Sequence, residues 1–359
     1  MTLVRSVLSL RATRTPKTAR IPRPTRRAFL KQATALSLAA GGLTSRGARA
    51  AVTPIQRVGG PHLRTSLNAY SFSDLLNARI KDPGKGLDLF QVCDFCAKHD
   101  FDAVDLTGYF FPGYPEAPDK SYVVKLKRHA FDRGLDISGT GVRNDFTAAD
   151  KSIREEGIRR IKTWIEVAAS LGAPTIRAFA DSQAPFKNWQ EAAGNASRAT
   201  VEAWLADSLR QCAEHGQKFG VVVAVQNHGD FIDTGERHLS LIKRVDHDWC
   251  RAMVDTGMYR TADPYADIAL MAPYAVNWQI KETLGNSTES PRLDMKKLVA
   301  IIRRSGYRGY LPIETLAMKR KDYDPFVEVP KVLAELRRAL QETTSVGEQV
   351  RTSAKVIRK

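Results

Sequence analysis

Short apolar runs and longer amphipathic segments alternate along this chain after residue 60. The short runs are rich in β-branched and aromatic residues, which is typical of buried parallel strands. The longer segments carry apolar residues three or four positions apart, as at Leu298, Val299 and Ile302, which is typical of helices packed along one face. Eight of the short runs are predicted to be strands, at residues 65–72, 101–107, 135–142, 174–179, 221–227, 251–256, 276–281 and 310–315.

Eight strand–helix units over residues 60–341 predict an α/β protein folded as a (β/α)8 TIM barrel in a single domain. An open, doubly wound sheet is the alternative, but such sheets usually carry a glycine-rich phosphate loop after their first strand. Here the first strand ends in Ser71-Phe72-Ser73-Asp74, which is not such a loop. A polar, basic tail follows the barrel at 342–359. In this fold, functional residues are expected at the carboxyl ends of the strands.

Positive charge is concentrated at the start of the chain. Residues 1–50 contain eleven Lys and Arg residues and no Asp or Glu, which leaves +5 of the formal net charge of +16 for all later residues. A nearly neutral body does not favour nucleic-acid binding, because that function needs a basic surface facing the phosphates. We therefore expect no nucleic-acid partner.

Three features within residues 1–50 resemble a twin-arginine signal peptide. Residues 25–31, Thr-Arg-Arg-Ala-Phe-Leu-Lys, resemble the export motif, and a modest apolar stretch and the small-x-small site Ala48-Arg49-Ala50 follow. The apolar stretch is much shorter than the ~20 residues that span a bilayer, so no stable membrane anchor is predicted. We predict a periplasmic or secreted protein that the twin-arginine export machinery recognises. A basic arm with a chance arginine pair is the alternative.

The four cysteines do not form a recognisable framework of disulfides or zinc ligands. Cys93 and Cys96 are close in sequence, but together with Leu89 and Val92 they recur with helical spacing. No second cysteine pair completes a zinc site. We interpret both thiols as part of a buried helix face.

Polar residues interrupt the apolar pattern where the predicted strands end. They are Asp105 on strand 2, Arg177 on strand 4, Gln226, Asn227 and His228 on strand 5, Asp255 on strand 6, Gln279, Lys281 and Glu282 on strand 7, and Glu314 on strand 8. Carboxylate, amide and imidazole groups that converge at one barrel mouth predict a site for a cation and a polyhydroxylated ligand. The alternative is that these groups cap the strands and bond to loop backbone.

Over residues 60–341 these motifs resemble the sugar phosphate isomerase/epimerase family, whose members are xylose isomerase-like TIM barrels. The family pattern is Glu-Asn-His on strand 5, Asp on strand 6, His-x-Lys-Asp on strand 7 and Glu on strand 8. The resemblance implies a metal site whose four ligand positions are Gln226, Asp255, Gln279 and Glu314. Two of these positions depart from the pattern, because Gln226 replaces a glutamate and Gln279 replaces a histidine.

The two departures change the metal and the chemistry that we expect. Two carboxylates and two amides form an all-oxygen set, which favours a divalent cation such as Mg²⁺, Mn²⁺ or Ca²⁺ over Zn²⁺. With two anionic ligands instead of three, we expect weak binding, and a vacant site is the alternative. Gln226 cannot accept a proton, so one of the family's two acid/base carboxylates is missing.

The remaining residues are assigned roles by this resemblance and by their chemistry. Glu314, His228 and Lys281 are predicted to be catalytic, with Glu314 or His228 as the base. Substrate contacts are predicted for Asn227, His228, Arg177, Lys281, Glu282 and Asp105.

The resemblance implies an exported isomerase or epimerase that acts on a keto-sugar or a related polyol through a metal-stabilised enediolate. Two alternatives stay open. A lyase or hydratase would use β-elimination on an oxidised glycoside and needs a single base, and a sugar-binding barrel would have no catalysis at all. The expected partner is a small-molecule carbohydrate in each case. The sequence leaves the oligomeric state open.

Overall fold

The computed structural model describes residues 52–357 apart from 286, 288 and 319, and eight parallel strands run through this part of the chain. The strands are β1 His62–Asn68, β2 Ala103–Thr107, β3 Asp136–Gly141, β4 Thr175–Phe179, β5 Val222–Gln226, β6 Cys250–Asp255, β7 Ala275–Gln279 and β8 Arg308–Ile313. Neighbouring strands pair from β1 through β7, and β1 also pairs with β8. A bridge between Ile280 and Ile313 joins the β7 and β8 sides, so the sheet is a nearly closed barrel.

Helices connect the strands and surround the barrel. They are α1 Ser73–Lys81, α2 Leu89–Lys98, α3 Lys120–Asp132, α4 Lys151–Leu171, α5 Trp189–Ala192, α6 Arg198–Phe219, α7 Gly235–Val245, α8 Pro264–Met271, α9 Met295–Arg304 and α10 Pro325–Ile357. One longer helix follows each strand, while α1 and the short α5 are additions after β1 and β4. The predicted (β/α)8 barrel is therefore confirmed.

Local sequence signals explain several helix boundaries. Asp88 and Gln91 form a reciprocal capping box at the start of α2, which satisfies backbone N–H groups that the helix itself leaves unpaired. Helices α4 and α6 end at Gly172 and Gly220, both in the left-handed conformation. The capping residues therefore set where these crossovers turn back toward the sheet.

All eight predicted strands are present, and β1 shows the largest boundary difference. The prediction of 65–72 ran too far, because β1 ends at Asn68 and a 3₁₀ turn occupies Ala69–Phe72. The Asn68 side chain accepts a hydrogen bond from the Tyr70 backbone N–H at 2.8 Å, which turns the chain there. As a result Asn68, and not residue 72, stands at the strand end.

The predicted signal peptide at 1–50 lies outside the described residues. At the other end, α10 continues through Ile357 and so includes most of the predicted polar tail at 342–359. Within the residues that the structure describes, no helix is both long enough and apolar enough to cross a membrane.

Cys93 and Cys96 lie on the inner face of α2, as their spacing predicts. Both are free thiols with no exposed surface. Burial raises the pKa of Cys93 to about 12, so the protonated thiol is strongly favoured and a metal-ligating thiolate is disfavoured. The interpretation as core residues is confirmed.

Candidate active site

A polar layer fills the centre of the barrel below the mouth. Asn277 Nδ2 donates to Asp105 Oδ2 at 3.4 Å and to Thr175 Oγ1 at 3.2 Å. Gly139 leaves room for this layer, since a Cβ there would lie 2.7 Å from Asp105 Oδ2. Burial raises the pKa of Asp105 to about 6, although the charge of Arg177 opposes the shift. Asp105 thus belongs to the barrel interior and does not line the cavity above it.

Lys281 lies between two carboxylates at the ends of β6 and β8. Its Nζ donates a short hydrogen bond to Glu314 Oε1 and lies 3.6 Å from Asp255 Oδ2. All three side chains are at most 9% exposed. Burial alone would lower the pKa of Lys281, but the charges of Asp255 and Glu314 raise it above its usual value. The lysine is therefore an ammonium ion inside an ion-pair network.

Two amide side chains lie at the end of β5: Gln226 lines the cavity, and Asn227 bonds to the backbone of β6. Gln226 Nε2 donates to Asp255 Oδ2 at 2.7 Å, and its Oε1 is buried without a hydrogen-bond partner. Asn227 points elsewhere: its amide donates to the Asp255 carbonyl at 2.9 Å and accepts from the Asp255 N–H at 2.7 Å. Asn227 was predicted to contact the substrate, but it is fully buried and holds the end of β6 in place.

His228 stands at the rim with a carboxylate behind it. Its Nδ1 donates to Asp181 Oδ2 at 2.7 Å, and the imidazole is 36% exposed whereas Asp181 is 7% exposed. Because a carboxylate accepts only, Nδ1 carries the proton and Nε2 of the neutral ring is left as an acceptor. Gly229 permits this contact, because a Cβ there would lie 2.3 Å from the Asp181 Cβ.

Two predicted site residues on strand 7 have different surroundings. Gln279 lines the cavity, and its Oε1 accepts a hydrogen bond from Asn68 Nδ2 at 3.3 Å. Glu282 does not line the cavity; its Oε2 accepts from the Leu316 N–H at 3.3 Å and lies 3.5 Å from Arg320 Nη2. Glu282 thus fixes the loop after β8, which itself forms part of the cavity wall.

Arg177 on β4 is a second buried cation near this network. Its Nη2 donates to the Tyr109 hydroxyl at 3.4 Å, and its guanidinium lies 5.3 Å from the centre of the Phe179 ring. Only 3% of the residue is exposed. The aromatic rings therefore hold the guanidinium in a fixed position at the cavity wall.

These elements enclose a cavity of about 290 Å³ at the carboxyl ends of the strands. The strand ends contribute Arg177, Gln226, His228, Gln279, Lys281 and Glu314, and loops contribute Tyr70, Ser73, Tyr109, Arg143, Met258 and residues 316–318. Six of the predicted site residues therefore meet at one cavity. Asp105, Asn227, Asp255 and Glu282 lie outside its wall.

Comparison with known proteins agrees with this architecture. Residues 93–343 match the family described as the xylose isomerase-like TIM barrel. The chain belongs to this family. No curated protein sequence is similar enough to the chain to count as a match.

Several solved structures superpose on most of the chain. D-Psicose 3-epimerase from Clostridium cellulolyticum H10 gives a TM-score of 0.61 at 14% identity, covering 79% of this chain and 99% of the epimerase. The E. coli 3-keto-D-glucoside 4-epimerase gives 0.57 at 16% identity, with 77% and 99% covered. The IOLI protein, solved with a zinc atom, gives 0.56 at 13% identity, with 79% and 98% covered. At these identities the likeness establishes the fold.

The donor atoms of this chain do not fit a divalent cation as they are arranged. No three His, Cys, Asp or Glu residues of the described part of the chain lie together as a metal-binding group. Asp255 Oδ1 accepts from the Gly257 N–H and Oδ2 from Gln226, while the Gln279 oxygen accepts from Asn68. The unpartnered Gln226 Oε1 supplies a single buried oxygen, whereas hard cations take about six. As they are arranged, the residues of the predicted metal centre, Gln226, Asp255, Gln279 and Glu314, therefore do not present a set of ligands for such a cation.

Besides the loop residues of the cavity wall, two residues that support predicted site residues were absent from the sequence-based prediction, Asp181 and Asn68. Asp181 lies two positions beyond the end of β4, so extending the search slightly past each strand end would have found it. Asn68 is the last residue of β1, and the misplaced strand boundary hid it. Both act through hydrogen bonds to predicted residues, His228 and Gln279.

Proposed function

We propose that this protein is an exported carbohydrate isomerase or epimerase that removes and returns a proton next to the carbonyl of a keto-sugar. One observation carries the proposal. A cavity of about 290 Å³ at the barrel mouth is lined by two proton-transfer groups, His228 and Glu314, and by the ammonium of Lys281. Such a cavity fits one sugar ring, and these groups match the needs of an enediolate reaction.

His228 and Glu314 have distinct supports for proton transfer. The hydrogen bond from His228 to Asp181 orients the imidazole and leaves Nε2 free to accept a proton. Glu314 is held in place by the hydrogen bond that its Oε1 accepts from the Lys281 ammonium. Because β5 and β8 are three strands apart around the barrel, the two groups approach a bound sugar from different directions.

The developing negative charge needs a fixed positive partner. Lys281 supplies an ammonium at the cavity wall, and Arg177 adds a guanidinium held by Tyr109. Such preorganised charges stabilise an enediolate more than its ketone, since charge develops only as the proton leaves.

The names of structural neighbours support the same class of reaction. They include a D-psicose 3-epimerase, an L-ribulose 3-epimerase and a 3-keto-D-glucoside 4-epimerase. We carry over from them the reaction class and leave open the sugar and the carbon that reacts.

A second candidate is a lyase that acts on an oxidised glycoside, and a second cavity favours it. This cavity of about 770 Å³ adjoins the first through Arg143, which lines both, and Tyr114, Gln183 and Phe186 form other parts of its wall. It has room for an aglycone attached to a sugar in the first cavity. β-Elimination would expel that aglycone and needs a single base.

The test follows hydrogen exchange at the carbon next to the carbonyl. The purified protein is incubated with ketohexoses and 3-keto-glycosides in D₂O, and deuterium incorporation and products are followed by NMR. Glu314→Gln should lower the exchange rate by about 10²–10⁴-fold. Glu335→Gln, on the surface helix α10, is the matched control and should leave the rate unchanged. An aglycone released without an epimer would favour the lyase, and no exchange with any carbonyl sugar would contradict both enzymes.

The export part of the proposal rests on residues 25–31 and 48–50 and needs its own test. Replacing Arg26 and Arg27 together by Lys should retain full-length protein in the cytoplasm, because a receptor reads the arginine pair. The measurement is cell fractionation followed by mass determination. Processed protein outside the cytoplasmic membrane in the double variant would contradict export by this route.

A further inference from the structure

We infer that the ammonium of Lys281 takes the place of a divalent cation between Asp255 and Glu314, and that it is the positive charge that meets the sugar's carbonyl oxygen. Its role toward a sugar rests on the proposed function, whereas its place between the carboxylates does not. The chain would then carry its own permanent cation at the centre of a barrel mouth.

The position of Nζ is the first observation. The ammonium bonds to Glu314 Oε1 and lies 3.6 Å from Asp255 Oδ2, so one cation serves carboxylates from two different strands. Lys281 follows β7, which lies between β6 and the β8 edge, and its backbone N–H donates to Thr256 Oγ1 at 2.9 Å. The side chain is 9% exposed and lines the cavity, so it is fixed and still reachable by a ligand.

The state of the neighbouring oxygens is the second observation. Both carboxylate oxygens of Asp255 accept hydrogen bonds from Gln226 and the Gly257 backbone, and the Gln279 oxygen accepts from Asn68. Each carboxylate oxygen of Asp255 therefore already has a protein donor. Lys281 matches the lysine of the family pattern, so this chain departs from that pattern in the amides Gln226 and Gln279, and the ammonium is left as the cation between the two carboxylates.

The amides of Gln226 and Gln279 are the third observation. Relative to the Glu, Asp, His and Glu pattern, Gln226 removes one negative charge and Gln279 removes one nitrogen donor. Gln226 uses its N–H to bond to Asp255, which a glutamate could not do. The Gln226 amide therefore donates to Asp255, and the Lys281 ammonium lies between Asp255 and Glu314.

The first test measures metal binding without using any sugar. Protein freed of metals with a chelator is titrated with Mn²⁺, and free Mn²⁺ is followed by EPR. Wild type should bind no stoichiometric Mn²⁺. Lys281→Met leaves two buried carboxylates unpaired, so it should bind one Mn²⁺ at least about tenfold more tightly, and Mn²⁺ should raise its Tm. Lys331→Met, at a surface pair with Glu328, is the matched control and should behave as wild type.

A second variant covers the case in which Lys281→Met fails to fold. Lys281→Met combined with Glu314→Gln removes the short ion pair and lowers the uncompensated charge, so it should fold and still bind no Mn²⁺ tightly. Refolding Lys281→Met in millimolar Mn²⁺ should restore its near-UV circular dichroism. Wild type that binds one Mn²⁺ and loses it in Glu314→Gln would overturn the inference. So would a Lys281→Met variant that binds Mn²⁺ no better than wild type.

The role toward the sugar has a separate readout. In the deuterium-exchange assay, chelator-treated wild type should keep its full rate, and Lys281→Met without metal should lose kcat by at least about 100-fold with a much smaller change in KM. An unchanged kcat would overturn that role alone. If no sugar exchanges at all, the proposed function fails, and the metal titration still decides the place of the ammonium.

Discussion

The two sides of the cavity hold their ionisable groups in different ways. On the β6–β8 side, Lys281, Asp255 and Glu314 are at most 9% exposed, and the one ammonium offsets part of the charge of the two carboxylates. On the β4–β5 side, His228 is 36% exposed and has one carboxylate partner, Asp181. The buried side is a fixed charge arrangement that is costly to disturb, whereas the open side keeps a base whose second nitrogen is free. The stability of the site therefore depends mainly on the buried side, whereas each side contributes one proton-transfer group, Glu314 or His228.

His228→Ala should break the open side with the largest effect on rate. We expect exchange with the true substrate to fall by about 10²–10⁴-fold, because the imidazole transfers the proton. The free energy of unfolding should change by less than about 1 kcal/mol, since the ring is partly exposed. Steady-state exchange rates and urea unfolding measure the two quantities. His215→Ala, on the surface of α6, is the control; an unaltered rate in His228→Ala would leave Glu314 as the base.

Asp255→Ala should break the buried side with a large effect on stability. Removing one partner leaves the Gln226 and Gly257 donors unpaired and Lys281 with a single carboxylate. The free energy of unfolding should fall by about 3–5 kcal/mol, measured by urea denaturation. Asp132→Ala removes an exposed pair with Arg128 on α3 and should cost less than about 1 kcal/mol. Equal losses in the two variants would show that burial of the network has no energetic consequence.

The buried carboxyl group of Asp105 should make the free energy of unfolding depend on pH. Its pKa is about 6 in the folded protein, raised by burial, against 3.8 as the ordinary value. The folded state thus binds the proton more tightly than the unfolded state. The stabilisation that Asp105 gives the folded state is therefore complete below pH 4 and is lost as the pH rises through 6. Compared with Asp105→Asn, wild type should lose roughly 3 kcal/mol of stability across that window. Urea unfolding of both proteins at several pH values measures it, and parallel curves would contradict it.

Gly229→Ala should have a smaller effect on stability than Asp255→Ala, and it separates packing from backbone strain. Gly229 has φ of +77° and lies against Asp181, whereas Gly134 has φ of +70° and open space around its Cβ position. Both substitutions cost about 1 kcal/mol for the left-handed backbone, and Gly229→Ala should cost about 1–2 kcal/mol more through the clash. Gly229→Ala should also slow exchange by displacing Asp181 from His228, whereas Gly134→Ala should not. Equal effects would mean that Asp181 adjusts freely.

The sequence alone determined the fold, because its signals are local and repeated. Alternating apolar runs and helical periods specify eight βα units, and each unit has one way to bury its apolar face. The same rule explains Cys93 and Cys96, whose spacing placed them correctly in the core. The strand ends also brought six predicted residues to one cavity, since parallel strands in a barrel end at the same face.

The tertiary structure decided what those residues do there. Asn227 and Glu282 are polar residues at strand ends, as Gln226 and Lys281 are, yet they hold backbone segments outside the cavity. Spacing along a strand predicts the face on which a side chain lies, but it does not predict the group to which that side chain will hydrogen-bond. Asp255 and Glu314 were predicted to hold a metal, and in the folded chain the Lys281 ammonium lies between them. That outcome depends on distances between three strands, which no local pattern contains.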